Sequence, residues 1–301
     1  MEGFLSIKEG IDKYISGCTV KVEMSTENII AKSVLAGVLI GLGAAGSSVA
    51  AHTIPDVGVA RLAAAVVFPV GLMMVILLGA ELFTGDCLMA ISVSDGHHSI
   101  KEVVRVLASV YLGNFVGAAA LALLINMSGQ LEYSSGMLGA YTIKVAMGKV
   151  NVSFMEGMIS GLLCNILVCA AVLMAICAKD VAGKLLAVFF TIMLFVTAGF
   201  EHCVANMYYI TAGLLAKMNG EYAALTMEQF GYSLEQMHEL NIYNFLVTNL
   251  VPVTIGNLLG GIVFLGLPLY YMNTKKVESR NNKEDMKNDF IRTRDVAGIV
   301  R

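Results

Sequence analysis

The sequence predicts an all-α membrane protein with six transmembrane helices, arranged as two inverted three-helix repeats whose second and fifth helices are broken. Three observations predict it. The composition is 57% hydrophobic against 14% charged, with a mean hydropathy of +0.73, far from an ordinary soluble domain. Apolar runs long enough to cross a bilayer core, roughly 20 helical residues, recur along the chain. Two of those runs carry the same polar octet, G-x-E-x-x-x-small-D/N, beginning at Gly79 and at Gly199.

The runs cover residues 29–50, 62–90, 103–125, 154–176, 185–215 and 245–271. The second and fifth are too long and too polar to be plain helices. Together the six form a single transmembrane channel domain over residues 1–301, with repeat one at about 29–126 and repeat two at about 154–271. Residues Met1 to Glu27 are polar and carry both charge signs, so no cleavable signal peptide is expected. Most of the Lys and Arg fall in this arm, near the loops at 94–101 and 178–184, and in the tail. Only Arg61, Lys144, Lys149 and Lys217 fall on the other face. That asymmetry puts both termini in the cytoplasm. The tail, residues 274–301, is low in hydrophobics and reads as a disordered cytoplasmic segment.

Gly37 and Gly41 of span 1 fall on Gly157 and Gly161 of span 4 at the offset that superposes the octets. Span 3 carries Gly113-Asn114 and Gly117, and span 6 carries Gly256-Asn257 and Gly260. Three matches in the same order make a three-helix repeat, and an odd number of spans inverts the second copy. Inverted repeats place a substrate site near the midplane, between discontinuous helices. The small residues of spans 1 and 4 read as helix-packing positions.

The residues of the breaks follow from what a break requires. Backbone that leaves a helix inside a bilayer needs internal hydrogen-bond partners. Glu81 and Glu201 are expected to brace the loops by accepting N–H bonds, and Asp86, Asn206 and Thr84 to cap the half-helices that follow. Two half-helix N-termini aimed at one midplane favour an anion. His202 is the strongest functional candidate, because nothing structural requires an imidazole inside a span.

The segments LLGAELFTG (Leu77 to Gly85), GLLCNILVC (Gly161 to Cys169) and AGFEHCVANM (Ala198 to Met207) closely resemble the motifs of the formate/nitrite transporter family. The resemblance covers about residues 29–271. It implies an aquaporin-like six-helix protomer assembled as a homopentamer, with one pore per subunit. It further implies a central site of Thr84 and His202, a basic vestibule residue at Lys149, and pore or loop asparagines at Asn165 and Asn257. Leu72, Leu82 and Phe83 correspond to the inner constriction, and Phe68 and Phe195 to the outer one. After Thr84 come Gly85, Asp86 and Cys87, where the formate-channel pattern continues with small Ser or Thr. That departure looks more like the hydrosulfide branch.

The expected function is passage of a small monovalent anion of a weak acid: hydrosulfide, formate or nitrite. His202 is expected to rest neutral and to gain a proton as the anion enters. A proton-coupled formate or nitrite transporter is the alternative. An aquaporin-type facilitator is disfavoured, since Pro55, Pro69, Pro252 and Pro268 all lie outside the octets. An enzyme is not expected: H-E-x-x-H is absent and no nucleophile elbow is present. No metal or cofactor is expected, the cysteine spacings fit no zinc pattern, and nothing points to nucleic acid. The expected partners are the anion, the lipid bilayer and identical subunits, in the cytoplasmic membrane of a prokaryote.

Overall fold

A computed structural model describes residues 3–274; the charged tail expected in the cytoplasm lies, from residue 275, outside the described residues. The helices are α1 (Ile7–Glu23), α2 (Thr26–Ala51), α3 (Val57–Leu78), α4 (Phe83–Ser94), α5 (Ile100–Met127), α6 (Met137–Val150), α7 (Phe154–Cys177), α8 (Val181–Ala198), α9 (Cys203–Lys217), α10 (Gly220–Phe230), α11 (Leu234–His238) and α12 (Asn244–Thr274). Six of them, α2, α3, α5, α7, α8 and α12, are long and apolar enough to cross a membrane. The second span is therefore α3 plus α4 and the fifth α8 plus α9.

Side-chain caps set where the spans begin. Ser25, Asp56 and Asp180 each accept a backbone N–H three residues on, and Ser99 with Glu102 and Ser153 with Glu156 form capping boxes. Glu156 is thus an exposed cap residue.

The two repeats pack through matched glycine seams. A Cβ on Gly37 would lie 2.2 Å from the Asn114 carbonyl oxygen, and one on Gly117 2.0 Å from that of Val34. In the second repeat, Gly256 and Gly260 stand 2.0 and 2.1 Å, by the same measure, from the carbonyl oxygens of Met158 and Leu162. Only glycine lets α2 approach α5, and α7 approach α12, this closely. The α12 helix widens into π turns over Asn244–Leu250 and Gly260–Gly266, on either side of Pro252, which has no N–H to donate.

Around this core the surface is apolar. Leu78, Leu112, Leu124, Phe190 and Phe264 are all more than half exposed. So broad an apolar belt suits lipid and neighbouring subunits rather than water. The amphipathic α1 buries Ile11, Tyr14, Ile15 and Cys18, at i, i+3, i+4 and i+7, against the bundle. The amino-terminal arm is therefore an ordered part of the protein, which its polar composition did not announce.

Candidate functional site

Both breaks are built the same way. α3 ends on Gly79 at φ +65° and α8 on Gly199 at φ +73°, a left-handed turn that a Cβ resists. Three non-helical residues follow in each, the last of them extended. Leu82 (φ −118°, ψ 122°) and His202 (φ −118°, ψ 115°) occupy equivalent N-cap positions of α4 and α9.

Two asparagines hold these non-helical segments. Asn114 Oδ1 accepts the Phe83 N–H at 2.9 Å, and its amide donates to the carbonyls of Ser33 and Glu81. Asn257 Oδ1 accepts the Cys203 N–H at 2.9 Å, and its amide Nδ2 donates to the carbonyls of Gly161 and Glu201. Both are fully buried. Asn165, also fully buried, donates to the Asn257 carbonyl at 2.6 Å. Asn165 and Asn257 are thus bonded to backbone rather than presented to a cavity. Asn114, which the sequence showed only as part of a glycine seam, does for the first break what Asn257 does for the second.

The carboxylates are held differently from expectation. Glu81 and Glu201 do not accept loop N–H bonds; the Glu201 N–H instead goes to Ser160 Oγ. Each carboxylate meets a lysine. Lys21, delivered by α1, pairs with Glu81 at 2.5 Å and also with Asp86. Lys149, from the end of α6, reaches both oxygens of Glu201 at 3.0 and 3.1 Å. Asn206 Nδ2 donates to Glu201 at 2.6 Å and to Asn249 at 2.8 Å. Thr84, Asp86 and Asn206, expected as caps, lie inside α4 and α9 and cap neither.

The cap of α9 comes from His202 itself. Its Nδ1 accepts the Ala205 N–H at 3.1 Å, and its Nε2 lies 2.9 Å from Thr84 Oγ1. A ring nitrogen that accepts a backbone N–H carries no proton, so this hydrogen-bond pattern assigns the neutral ring's proton to Nε2. Nε2–H then donates to Thr84 Oγ1, leaving the threonine hydroxyl hydrogen to donate elsewhere. Thr84 and His202 are buried at the meeting point of the two breaks. On the first break, the thiol of Cys169 donates to the Thr84 carbonyl at 3.2 Å and the Tyr14 hydroxyl to that of Gly85 at 3.2 Å.

A cavity opens on each side of this pair. The one on the side of α1, the inner one if the termini lie where the basic residues lead us to expect, is about 400 Å³ and is lined by Leu72, Leu82 and Val172 and by the charged groups Lys13, Lys21, Lys32, Glu81, Asp86 and Lys184. The outer one, about 150 Å³, is lined by Phe68, Phe195, Tyr141, Lys149 and Tyr209. Phe68 meets Phe195 edge-on at 5.5 Å, and Phe195 lies 6.1 Å from the His202 ring. Phe83, expected at the inner constriction, lines neither cavity, and the same holds for the buried Thr84 and His202; the Phe83 ring packs edge-on against Tyr111 at 4.8 Å. Val172, which no motif singled out, takes a place in the inner wall. Among the described residues no group of three or more His, Cys, Asp or Glu is placed to hold a metal ion.

Two broken helices, meeting at a buried polar pair between two opposed cavities, define a multi-span membrane transport protein. The chain belongs to the formate/nitrite transporter family, whose model matches residues 8–271. It is 37% identical over 217 residues to the formate channel FocA of Haemophilus influenzae, covering 71% of this chain and 75% of that protein. It is 32% identical over 266 residues to a probable formate transporter of Methanothermobacter thermautotrophicus, covering 82% and 89%. Among solved structures, a pentameric formate channel with formate bound superposes with a TM-score of 0.73 at 32% identity, covering 82% of this chain and 97% of that one.

Proposed function

We propose that this chain forms a homopentamer in a cytoplasmic membrane, with its termini inside and one pore per protomer, and passes the monovalent anions of weak acids, formate first among them. The observation that carries the reading is the Thr84–His202 pair at 2.9 Å, set between two cavities and flanked by apolar side chains. A bare anion crossing Phe68 and Phe195, or Leu72 and Leu82, loses its water at a cost that its neutral acid avoids. The threonine hydroxyl, oriented by Nε2–H, offers the arriving anion a donor, and the partial positive charge at the starts of α4 and α9 adds to the attraction.

The proton that neutralises the anion comes, in this reading, from water in the cavity. An imidazolium at 202 would point a second N–H at the Ala205 N–H and lose the cap of α9. The ring acts as a fixed donor rather than a titrating relay. Formate is supported by the relatives named above and by the pentameric structure with formate bound. A second reading, hydrosulfide, rests on Gly85-Asp86-Cys87 after Thr84.

Proteoliposomes loaded with a pH dye and challenged with formate and hydrosulfide in parallel test both readings. Formate flux above empty vesicles is the expected result; hydrosulfide flux without formate flux would move the protein to the second reading. His202→Asn keeps a donor and cannot titrate. It is expected to conduct with reduced amplitude and the wild-type pH profile, and a flattened profile would restore the relay.

A further inference from the structure

An anion approaching the outer cavity is helped by positive charge there, and the lysine of that wall is already neutralised. Lys149 holds both oxygens of Glu201, and its ammonium also lies 5.4 Å from the Tyr209 ring centre. Beyond their own separation the two opposite charges act as a dipole, whose attraction for an anion falls off faster with distance than that of a free cation. We propose that Arg61, at the rim of the outer cavity, is the anion-collecting residue of this pore, an inference that rests on the anion-conducting reading above.

Three observations place it. Arg61, Ala64 and Phe68 stand at i, i+3 and i+7 on α3, one face of a helix, and Ala64 and Phe68 both line the outer cavity. Arg61 is therefore one turn further out on the stripe that forms the cavity wall. Its guanidinium lies against a second wall element, since a Cβ added to Gly199 would sit 2.7 Å from Arg61 Nη1. Among the described residues, Arg61 forms no ion pair within 4.0 Å, and its side chain is exposed. Lys144 stacks over the Tyr141 and Phe230 rings, 5.5 and 4.6 Å from their centres, so among the described residues Arg61 is the cation at this rim with neither a cation–π contact nor an ion pair.

The competing reading is structural. Gly199 ends α8, and a cation there complements the carbonyl end of that helix. A cap of that kind acts on folding, at every salt concentration. A collecting charge acts on the encounter with the anion, so its effect fades as salt shortens the Debye length from about 30 Å at 0.01 M to about 4 Å at 0.5 M. A guanidinium also binds a carboxylate through two donors, where an ammonium offers a point charge.

The test is formate influx into proteoliposomes holding wild type, Arg61→Lys, Arg61→Gln or Arg61→Glu, each confirmed pentameric by size-exclusion chromatography. At 0.01 M salt, Arg61→Gln is expected to conduct about threefold less than wild type and Arg61→Glu about tenfold less, within the range of electrostatic steering. Arg61→Lys keeps at least half the flux. At 0.5 M salt all four converge to within about a factor of 1.5. Equal flux in all four at low salt overturns the proposal, as does a loss that persists unchanged at high salt. If wild type itself carries no formate above empty vesicles, it is the function reading that fails, whatever the variants do.

Discussion

The two breaks share a scaffold and differ in their charges. Each has a left-handed glycine, a non-helical tripeptide, an asparagine that takes the first helical N–H, and a glutamate paired with a lysine. In the second break the neighbour of the glutamate is Asn206, an amide that donates to Glu201 and Asn249. In the first it is Asp86, so one ammonium faces two carboxylates, and the second oxygen of Asp86 has no hydrogen-bond partner. The cations differ in load rather than in origin. Both come from the helix just before their repeat, Lys21 from the end of α1 and Lys149 from the end of α6, but Lys21 serves two carboxylates and Lys149 one. The shared parts are those that satisfy the backbone; the parts that differ are those that face the cavities.

Exchanging the residues that differ tests this division. Leu82 and His202 occupy the same place in the two breaks, so His202→Leu makes the second resemble the first. It removes the Nε2 donor and the α9 cap together. A lost polar contact of about 2–3 kcal/mol corresponds to flux lower by about 30- to 160-fold. Formate flux within twofold of wild type would show that the polar pair is not the site.

The shared parts should behave alike. Asn114→Ala and Asn257→Ala each strand a buried backbone N–H and two carbonyls, at a cost of about 2–4 kcal/mol. Thermal melting of the detergent-solubilised protein should fall by similar amounts for the two. A large drop for one and none for the other would break the equivalence of the repeats.

The charged neighbours should respond with opposite signs. Asn206→Asp puts a second carboxylate beside Glu201 with Lys149 as the sole cation and loses both amide donations, so it should destabilise by about 1–3 kcal/mol. Asp86→Asn leaves Lys21 paired with Glu81 and removes a buried carboxylate, so it should melt no lower than wild type. The same melting assay reads both, and equal losses would mean that the acid at 86 is as well accommodated as the amide at 206.

Much of this was legible in the sequence, for identifiable reasons. The breaks showed themselves because glycines and acids within an apolar run are expensive, and their recurrence exposed the repeat. The Thr84 and His202 positions came through the family motifs. The partners of the acids did not, because Lys21 reaches Glu81 only when α1 folds back under the bundle, and no local pattern encodes that approach. The asparagine braces were visible as letters beside glycines, but which backbone N–H they take depends on packing between spans. Glu156 is a different case: Ser153 three residues before it is a capping signature that local reading could have used. The Phe83 ring packs on Tyr111, a contact between spans that the local sequence does not encode.

The smallest expected effect concerns the element that serves the first break alone. α1 starts with a capping box in which the Glu9 carboxylate accepts both the Ser6 hydroxyl and the Ser6 N–H at 2.7 Å. Those bonds favour the charged form and hold the Glu9 carboxyl below its ordinary value of 4.5. A carboxylate with a lowered folded-state pKa contributes stability that is complete above the unfolded value and lost as pH falls through the folded one. Acidification below about 4.5 should therefore loosen the first turn of α1. Glu9→Gln keeps an acceptor but cannot titrate, so its protection should be weaker at neutral pH and should not decline further in acid. Hydrogen exchange of residues 7–12, compared between wild type and Glu9→Gln at each pH, separates this from the intrinsic pH dependence of exchange. Amides of α9, whose cap is His202 and whose break is held by Lys149, should show no Glu9-dependent difference. Matching changes in α9 would mean that the two breaks are coupled through the Thr84–His202 contact rather than independently supported.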